Sequence, residues 1–143
     1  MNTVGNLEVK VVTPEKTIFE GSVDYVSLPA KEGVLGIYKR HIPLLTLIDQ
    51  GEVTIVKNGQ KEFIAIFGGF AEVGPDHVTI LTDAASRSEE LDEVKIREAK
   101  KRAEEKLSEK LSQQDYLNVQ AELRKAILGL KVANRRRRSN LLS

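Results

Sequence analysis

Two histidines are the residues closest to neutral-pH chemistry in this chain. His41 lies in the tract EGVLGIYKRHIPLL, Glu32 to Leu45, and His77 follows the turn-like Gly74-Pro75-Asp76. An imidazole titrating near neutrality is suited to general base catalysis. That role needs a carboxylate to orient the ring, yet Lys39 and Arg40 adjoin His41 and no acidic residue stands within three positions. The other reading of His41 is an interface or turn histidine, and His77 reads as a solvent-exposed turn residue. The two lie far apart in sequence without a paired carboxylate motif, which argues against a metal site. Gly68-Gly69 lacks the Lys-Ser/Thr that a phosphate-cradling loop needs and reads as a strand bend or bulge. Cysteine is absent, which removes disulfides, thiolate metal ligands and thiol nucleophiles together. No nucleophile-and-base grouping stands out, so the expectation is a protein with no catalytic residue and no metal.

Binding chemistry remains. HIPLLTLI, His41 to Ile48, is either a buried strand or a partly exposed apolar patch for a partner. Gly33 and Gly36 are expected to bracket a tight turn, and Ile42, before Pro43, is pushed toward extended geometry. Arg135 to Arg138 form an unbroken basic run. It reads as a solvated tail, a nucleic-acid patch, or the end of a helix meeting an acidic partner. No aromatic residue interleaves these arginines and the formal net charge is only +1, both of which count against nucleic acid.

The elements that would position these residues fall into two halves. Up to Arg87 the pattern has period two: Leu7, Val9 and Val11 alternate with Glu8 and Lys10, and KTIFEG and VDYVSL follow, separated by Gly21. Two β-branched and aromatic runs flank Asn58-Gly59, a pair that tolerates the positive φ angles of a type I′ hairpin turn. Short strands with frequent turns argue a sandwich or flattened barrel, not βαβ units, and the reading adopted for residues 1–87 is an antiparallel β-sandwich. From Ser88 the composition shifts to Glu, Lys, Arg and Ala, all good helix formers. Ser88 reads as an N-cap, with Glu89, Glu90, Asp92 and Glu93 in the first turns, where the helix dipole favours anions. Glu93–Arg97 and Glu98–Arg102 stand at the favourable i,i+4 spacing. The apolar stripe is thin: Ile96, Ala99, Ala103, Leu107 and Leu111. SQQD breaks it, with Asp115 as the next cap, and Tyr116, Val119, Leu123, Ala126, Leu130 and Ala133 continue at i+3 and i+4. The prediction over 88–143 is an αα-hairpin with a basic end, and the fold class is α+β. Alanines bury little area, so the hairpin reads as a movable element.

Composition sets the outer limits. A chain of 143 residues with 41% apolar content is long enough to bury a core. No apolar run approaches the roughly 20 residues of a membrane span, and MNTVGNLEVK has no signal-peptide core. The expectation is a soluble protein on the cytoplasmic side that reaches a membrane only through partners.

LEVKVVTPEKTIFEG, EGVLGIYKRHIPLL, GGFAEV, LTDAASR and the charged helical hairpin span the chain from Leu7 to Ala133. Together they resemble the epsilon subunits of bacterial rotary ATP synthases. The most specific is EGVLGIYKRHIPLL, where the family commonly shows E-G-x-x-G-I-x-P-G-H-x-P-L-L; Lys39-Arg40 replaces the usual Pro-Gly. The resemblance implies a central-stalk subunit of a proton- or sodium-translocating enzyme. Its sandwich would sit on the gamma subunit and face the c subunits of the membrane rotor ring, at the cytoplasmic face of the bacterial membrane. The implied interface is Glu32, Val34, Tyr38, Lys39, Arg40 and His41. The hairpin would restrain ATP hydrolysis when extended, its basic residues Arg124, Lys125, Lys131 and Arg135, Arg136, Arg137, Arg138 meeting acidic loops of the catalytic beta subunits. Some members bind ATP through Ile/Leu-Asp-x-x-Arg-Ala plus later arginines. Here Leu91, Asp92 and Arg102 fit, but Lys95-Ile96 replaces Arg-Ala and Gly129 falls near the last expected arginine. Lysine does not reproduce a bidentate guanidinium contact, so weak or absent ATP binding and no required cofactor are expected. A free-standing adaptor, or an ATP-sensing switch using the same fold, is the alternative function.

Overall fold

The computed structural model describes residues 7–142, with side chains described up to residue 139. Residues 1–6, part of the stretch without a leader core, and the side chains of the last four residues lie outside that range. The chain divides into two compact units between Arg87 and Ser88.

The first unit holds eight strands: β1 (Leu7–Val12), β2 (Thr17–Val23), β3 (Tyr25–Ala30), β4 (Gly33–Ile37), β5 (Leu44–Lys57), β6 (Gln60–Val73), β7 (His77–Leu81) and β8 (Ala85–Arg87). They hydrogen-bond in the order β2-β1-β7-β6-β5-β3-β4, with β8 also against β6. The alternation read in β1 is real: Leu7, Val9 and Val11 are buried while Glu8 and Lys10 are exposed. These residues join Val26 and Leu28 of β3, Ile37 of β4, Val53 and Ile55 of β5, Ile64 and Ile66 of β6, and Val78 and Ile80 of β7 in one core. Strands from opposite ends of the hydrogen-bonding order share that core, so the sheet folds over into a sandwich. Each buried Val, Leu or Ile stabilises by about 1.5–3 kcal/mol relative to exposure.

The turn at Asn58-Gly59 has φ of 53° and 76°, as a type I′ turn requires, and it joins the paired residues Lys57 and Gln60. Asp24 supports it, its Oδ2 accepting from the Asn58 N–H at 2.9 Å. Three details differ from the sequence expectation. Gly21 lies inside β2, paired with Val9, and Asp24 makes the break before β3; a glycine inside a strand edge does not by itself end it. Gly36 is likewise a strand residue, paired with Ser27, and the tight turn is Lys31-Glu32, which Gly33, at φ 132° and paired with Ala30, closes at the start of β4. The sandwich is not purely antiparallel, because β1 and β7 run parallel; these strands are distant in sequence and meet only through the long path between them.

The second unit opens with a short 3-10 turn, Ser88–Glu90, followed by α1 (Glu93–Leu107) and α2 (Gln113–Leu142). Ser88 is not the cap. Asp92 is, its Oδ1 accepting from Val94 N–H at 3.1 Å and Lys95 N–H at 3.3 Å. The carboxylate reaches both orphan donors, so the helix starts four residues later than expected. Likewise Ser112, not Asp115, caps α2, its Oγ accepting from the Asp115 N–H at 3.2 Å. The helices pack antiparallel: Ile96 of α1 lies against Gly129 of α2, where an added Cβ would meet Ile96 Cδ1 at 3.3 Å. Ala103, Val119, Ala126 and Ala133 are buried as the stripe predicts, but Leu128 and Val132 are buried too. Helix α2 therefore buries a wider arc than a single i, i+3, i+4 line. Glu93 and Arg97 pair at 3.7 Å; no ion pair joins Glu98 to Arg102 among the described residues.

Candidate functional site: one end of the sandwich and the basic end of the hairpin

Strand β4 delivers its residues to one end of the sandwich. Val34 is 80% exposed and Tyr38 65%, while Ile37 between them is in the core, so β4 anchors one side chain and presents the next. Tyr38 lies against Tyr25 with ring centroids 4.6 Å apart and planes tilted by 43°. Gly36 leaves room for that arrangement, since a Cβ there would collide with the Tyr25 ring. Glu32 is exposed in the turn between β3 and β4.

The following segment, Tyr38 to Pro43, is fixed by backbone contacts. Arg40 adopts φ 68°, the left-handed region seldom occupied by residues other than glycine. Its N–H donates to the Pro75 carbonyl at 2.5 Å. The His41 Nδ1–H donates to the Ile42 carbonyl at 2.7 Å, so the ring is oriented by backbone and not by a carboxylate. Lys39 and Arg40 are exposed. HIPLLTLI combines both readings offered for it: Ile42 and Leu45 are more than 70% exposed, whereas Ile48 is buried.

The Arg40–Pro75 bond brings a second turn to the same end, and with it residues that sequence reasoning passed over. His77 is not a free turn residue. Its Nδ1 lies 3.0 Å from Asp76 Oδ1 and its Nε2 3.5 Å from Glu72 Oε1. The hydrogen bond to Asp76, then the one to Glu72, raises the His77 pKa above its ordinary value. The same bond, seen from the other side, lowers that of Asp76, with Lys39 contributing. Leu47, Phe70 and Leu81 stand directly opposite one another across β5, β6 and β7 and are each about half exposed. They form an apolar row on the sheet's outer face. The alternation of β5 and β6 was the signal available for it, since these residues keep the opposite parity to buried Ile48, Ala71 and Ile80.

On the hairpin, Arg124, Lys125, Lys131 and Arg135 to Arg138 are all exposed on α2, which carries no acidic residue after Glu122. At about 100° per residue, Arg124, Lys131, Arg135 and Arg138 share one face. Arg137 points elsewhere, four residues past Ala133 on the side that meets α1. Its Nη1 lies 3.5 Å from Glu93 Oε2 and its Nη2 donates to Asn134 Oδ1 at 3.0 Å. Of the partial nucleotide motif, Leu91, Asp92 and Lys95 lie together at the start of α1, and Arg102 stands apart from them. Asp92 is engaged as a cap, Lys95 and Arg102 are exposed, and ten residues of helix separate Asp92 from Arg102, about 15 Å along the axis. Leu91 is half-buried in the turn before α1. No group of His, Asp and Glu that could hold a metal ion occurs among the described residues, and no helix among them is long and apolar enough to cross a membrane.

The fold is thus a β-sandwich followed by a two-helix hairpin, with exposed apolar and basic surface on the two units. The β-sandwich domain model of the ATP synthase delta/epsilon chain matches residues 6–88, and the long α-helix domain model of the same chain matches residues 89–134. The chain belongs to the ATP synthase delta/epsilon chain family. The ATP synthase epsilon chain of Alkalilimnicola ehrlichii is 43% identical over 94% of this chain and 97% of its own length. That of Herpetosiphon aurantiacus is 42% identical over 92% of this chain and 96% of its own. In fold, the chain is similar to one in the Euglena gracilis mitochondrial ATP synthase (TM-score 0.65, 22% identity, covering 99% of this chain and 84% of that one). It is also similar to a chain in the central stalk and c-ring of the Tetrahymena thermophila mitochondrial enzyme (TM-score 0.59, 15% identity, 92% and 99% covered).

Proposed function

We propose that this chain is a non-catalytic central-stalk subunit of a rotary ATP synthase. Its sandwich couples an ion-driven membrane ring to the catalytic head, and its hairpin restrains ATP hydrolysis. The observation that carries the reading is near-full-length identity above 40% with epsilon chains, extending over both units. The sandwich end bearing Glu32, Val34, Tyr38, Lys39, Arg40 and His41 is the docking surface for the gamma subunit and the polar loops of the ring's c subunits. It combines large exposed apolar side chains with three consecutive cationic or titratable ones, a composition suited to a protein partner. The sandwich is thereby held, peripherally, at the cytoplasmic face of the membrane.

The basic residues of α2, from Arg124 to Arg138, engage acidic loops of the catalytic beta subunits when the hairpin opens. A single exposed ion pair contributes about 0.2–1 kcal/mol, so one arginine does not make a latch. Several together supply a few kcal/mol, and each ~1.4 kcal/mol changes an equilibrium tenfold. Nucleotide affinity of the hairpin is weak in this reading, because Asp92 is committed to the helix cap and Lys95 lacks a guanidinium fork. The test replaces Arg135 to Arg138 with glutamine and compares hydrolysis and synthesis in the assembled enzyme at low salt. Hydrolysis should rise several-fold while synthesis stays near its starting level. Unchanged hydrolysis would reduce the arginines to a solvated helix end.

A further inference from the structure

Among the four consecutive arginines, Arg137 is set apart by the helix it stands on. Ala126, Ala133 and Arg137 follow one another at spacings of seven and four, so Arg137 continues the line of α2 that packs on α1. The antiparallel pairing then brings it to the first residue of α1, Glu93. The carboxylate of Glu93 receives two cations: Arg137 at 3.5 Å from the far end of the other helix, and Arg97 at 3.7 Å from the next turn of its own. Glu93 is the better shielded partner, 28% exposed against 58% for Arg137. The placement is favourable for α1 separately as well, because Glu93 is an anion in its first turn, at the positive end of the helix dipole.

We infer that Glu93 and Arg137 form an intrachain clasp that holds the open end of the hairpin shut and withdraws Arg137 from the basic surface offered to partners. Both ends of the hairpin differ in what holds them. At the Ser108–Ser112 connection the chain itself ties α1 to α2. At the other end no chain segment joins them, and the apolar contact there is thin: Ala133 faces α1, and Asn134 and four arginines follow it on α2. The clasp is therefore among the ties that opening has to break. It also makes the same basic tract serve two opposed states. Glu93 competes, from within the chain, with any acidic partner for Arg137. The consequence for hydrolysis rests on the latch reading above; the clasp itself does not.

Glutamine at position 93 or 137 keeps helix propensity and length while removing charge, so Glu93→Gln, Arg137→Gln and the double variant form a cycle in which the fold is retained. In the isolated full chain, hydrogen exchange of the α2 amides beyond Val132 reports opening. Each single change should lower protection by about two- to fivefold at low salt, the range expected of one shielded surface pair, and the double variant should lose no more than either single one. High salt should erase the difference. Additive losses, or none, would overturn the clasp. In the assembled enzyme, Glu93→Gln frees Arg137 for the partner and should lower hydrolysis. Coupling in the isolated chain with hydrolysis unmoved by Glu93→Gln would overturn the competition and, with it, the part of the latch assigned to Arg137. An effect of the Arg135–Arg138 replacement without any Glu93–Arg137 coupling would leave the latch standing and remove the clasp.

Discussion

Arg40 occupies backbone geometry that favours glycine. At φ 68° a residue with a Cβ is strained by about 1 kcal/mol or more, and glycine would sit there without that cost. The N–H bond to Pro75 keeps the segment in place whatever the side chain. Arg40→Gly should therefore stabilise the isolated chain by about 0.5–1 kcal/mol, seen as a melting temperature a few degrees higher. A lower melting temperature would show that the arginine side chain itself supports the loop.

His77 gives the same end of the sandwich a pH dependence with a definite sign. Its pKa is raised by the hydrogen bond to Asp76 and then by that to Glu72. The stability it contributes is fully present below its ordinary value of 6.5 and is lost as pH rises through the raised value. Asp76 is lowered, chiefly by the same bond, so its contribution is present above its ordinary 3.8 and is lost as pH falls through the lowered value. The pair supports the fold most between those two ordinary values. Lys39, near Asp76, and Glu8, paired in register with His77, are the other charged groups beside it. Urea midpoints measured from pH 4.5 to 8.5 should show the native chain losing its advantage over His77→Gln as the pH rises above the ordinary 6.5. Parallel profiles for the two chains would remove His77 from the account.

At the scale of elements, the bend in β6 decides how the sheet becomes a sandwich. Pairing with β5 is continuous except at one step: Ile48 meets Gly69 and Gln50 meets Phe67, but Asp49 and Gly68 are not paired. The register does not shift, so this is a bend without an inserted residue. Before it β6 pairs with β8, and after it with β7. Gly68 and Gly69 have φ of 86° and 135°, both costly for other residues. A Cβ on Gly69 would also run into the Leu81 carbonyl, whereas one on Gly68 meets nothing closer than 3.8 Å. Gly69→Ala should then destabilise by at least about 2 kcal/mol, and Gly68→Ala by roughly half as much, in urea titrations. Equal losses at the two positions would mean that φ alone, and not the close approach of β7, governs the bend.

For the whole molecule, the division into a sandwich and a hairpin was legible in the residues because periodicity is a local property. Alternation marks β1, Asn58-Gly59 marks the β5–β6 hairpin, and the shift to Glu, Lys and Ala after Arg87 marks the helices. The exposed Val34 and Tyr38 and the basic run on α2 were also within reach, since exposure follows from parity and charge. What local pattern does not contain is which distant residues meet. The parallel pairing of β1 with β7, the Arg40–Pro75 bond that joins two turns at one end, and the His77 contacts with Asp76 and Glu72 arise only when the sheet closes. Capping shows the same limit on a smaller scale. Ser88 and Asp92 are both good N-caps, and the choice between them falls to whichever carboxylate or hydroxyl reaches the free N–H groups of the first turn. The sequence by itself determined the elements, their order and the chemistry of their surfaces. The tertiary structure alone decided that Arg137 leaves its three neighbours to meet Glu93, because ion pairing needs a few ångströms of approach and only the antiparallel hairpin brings those two residues that close.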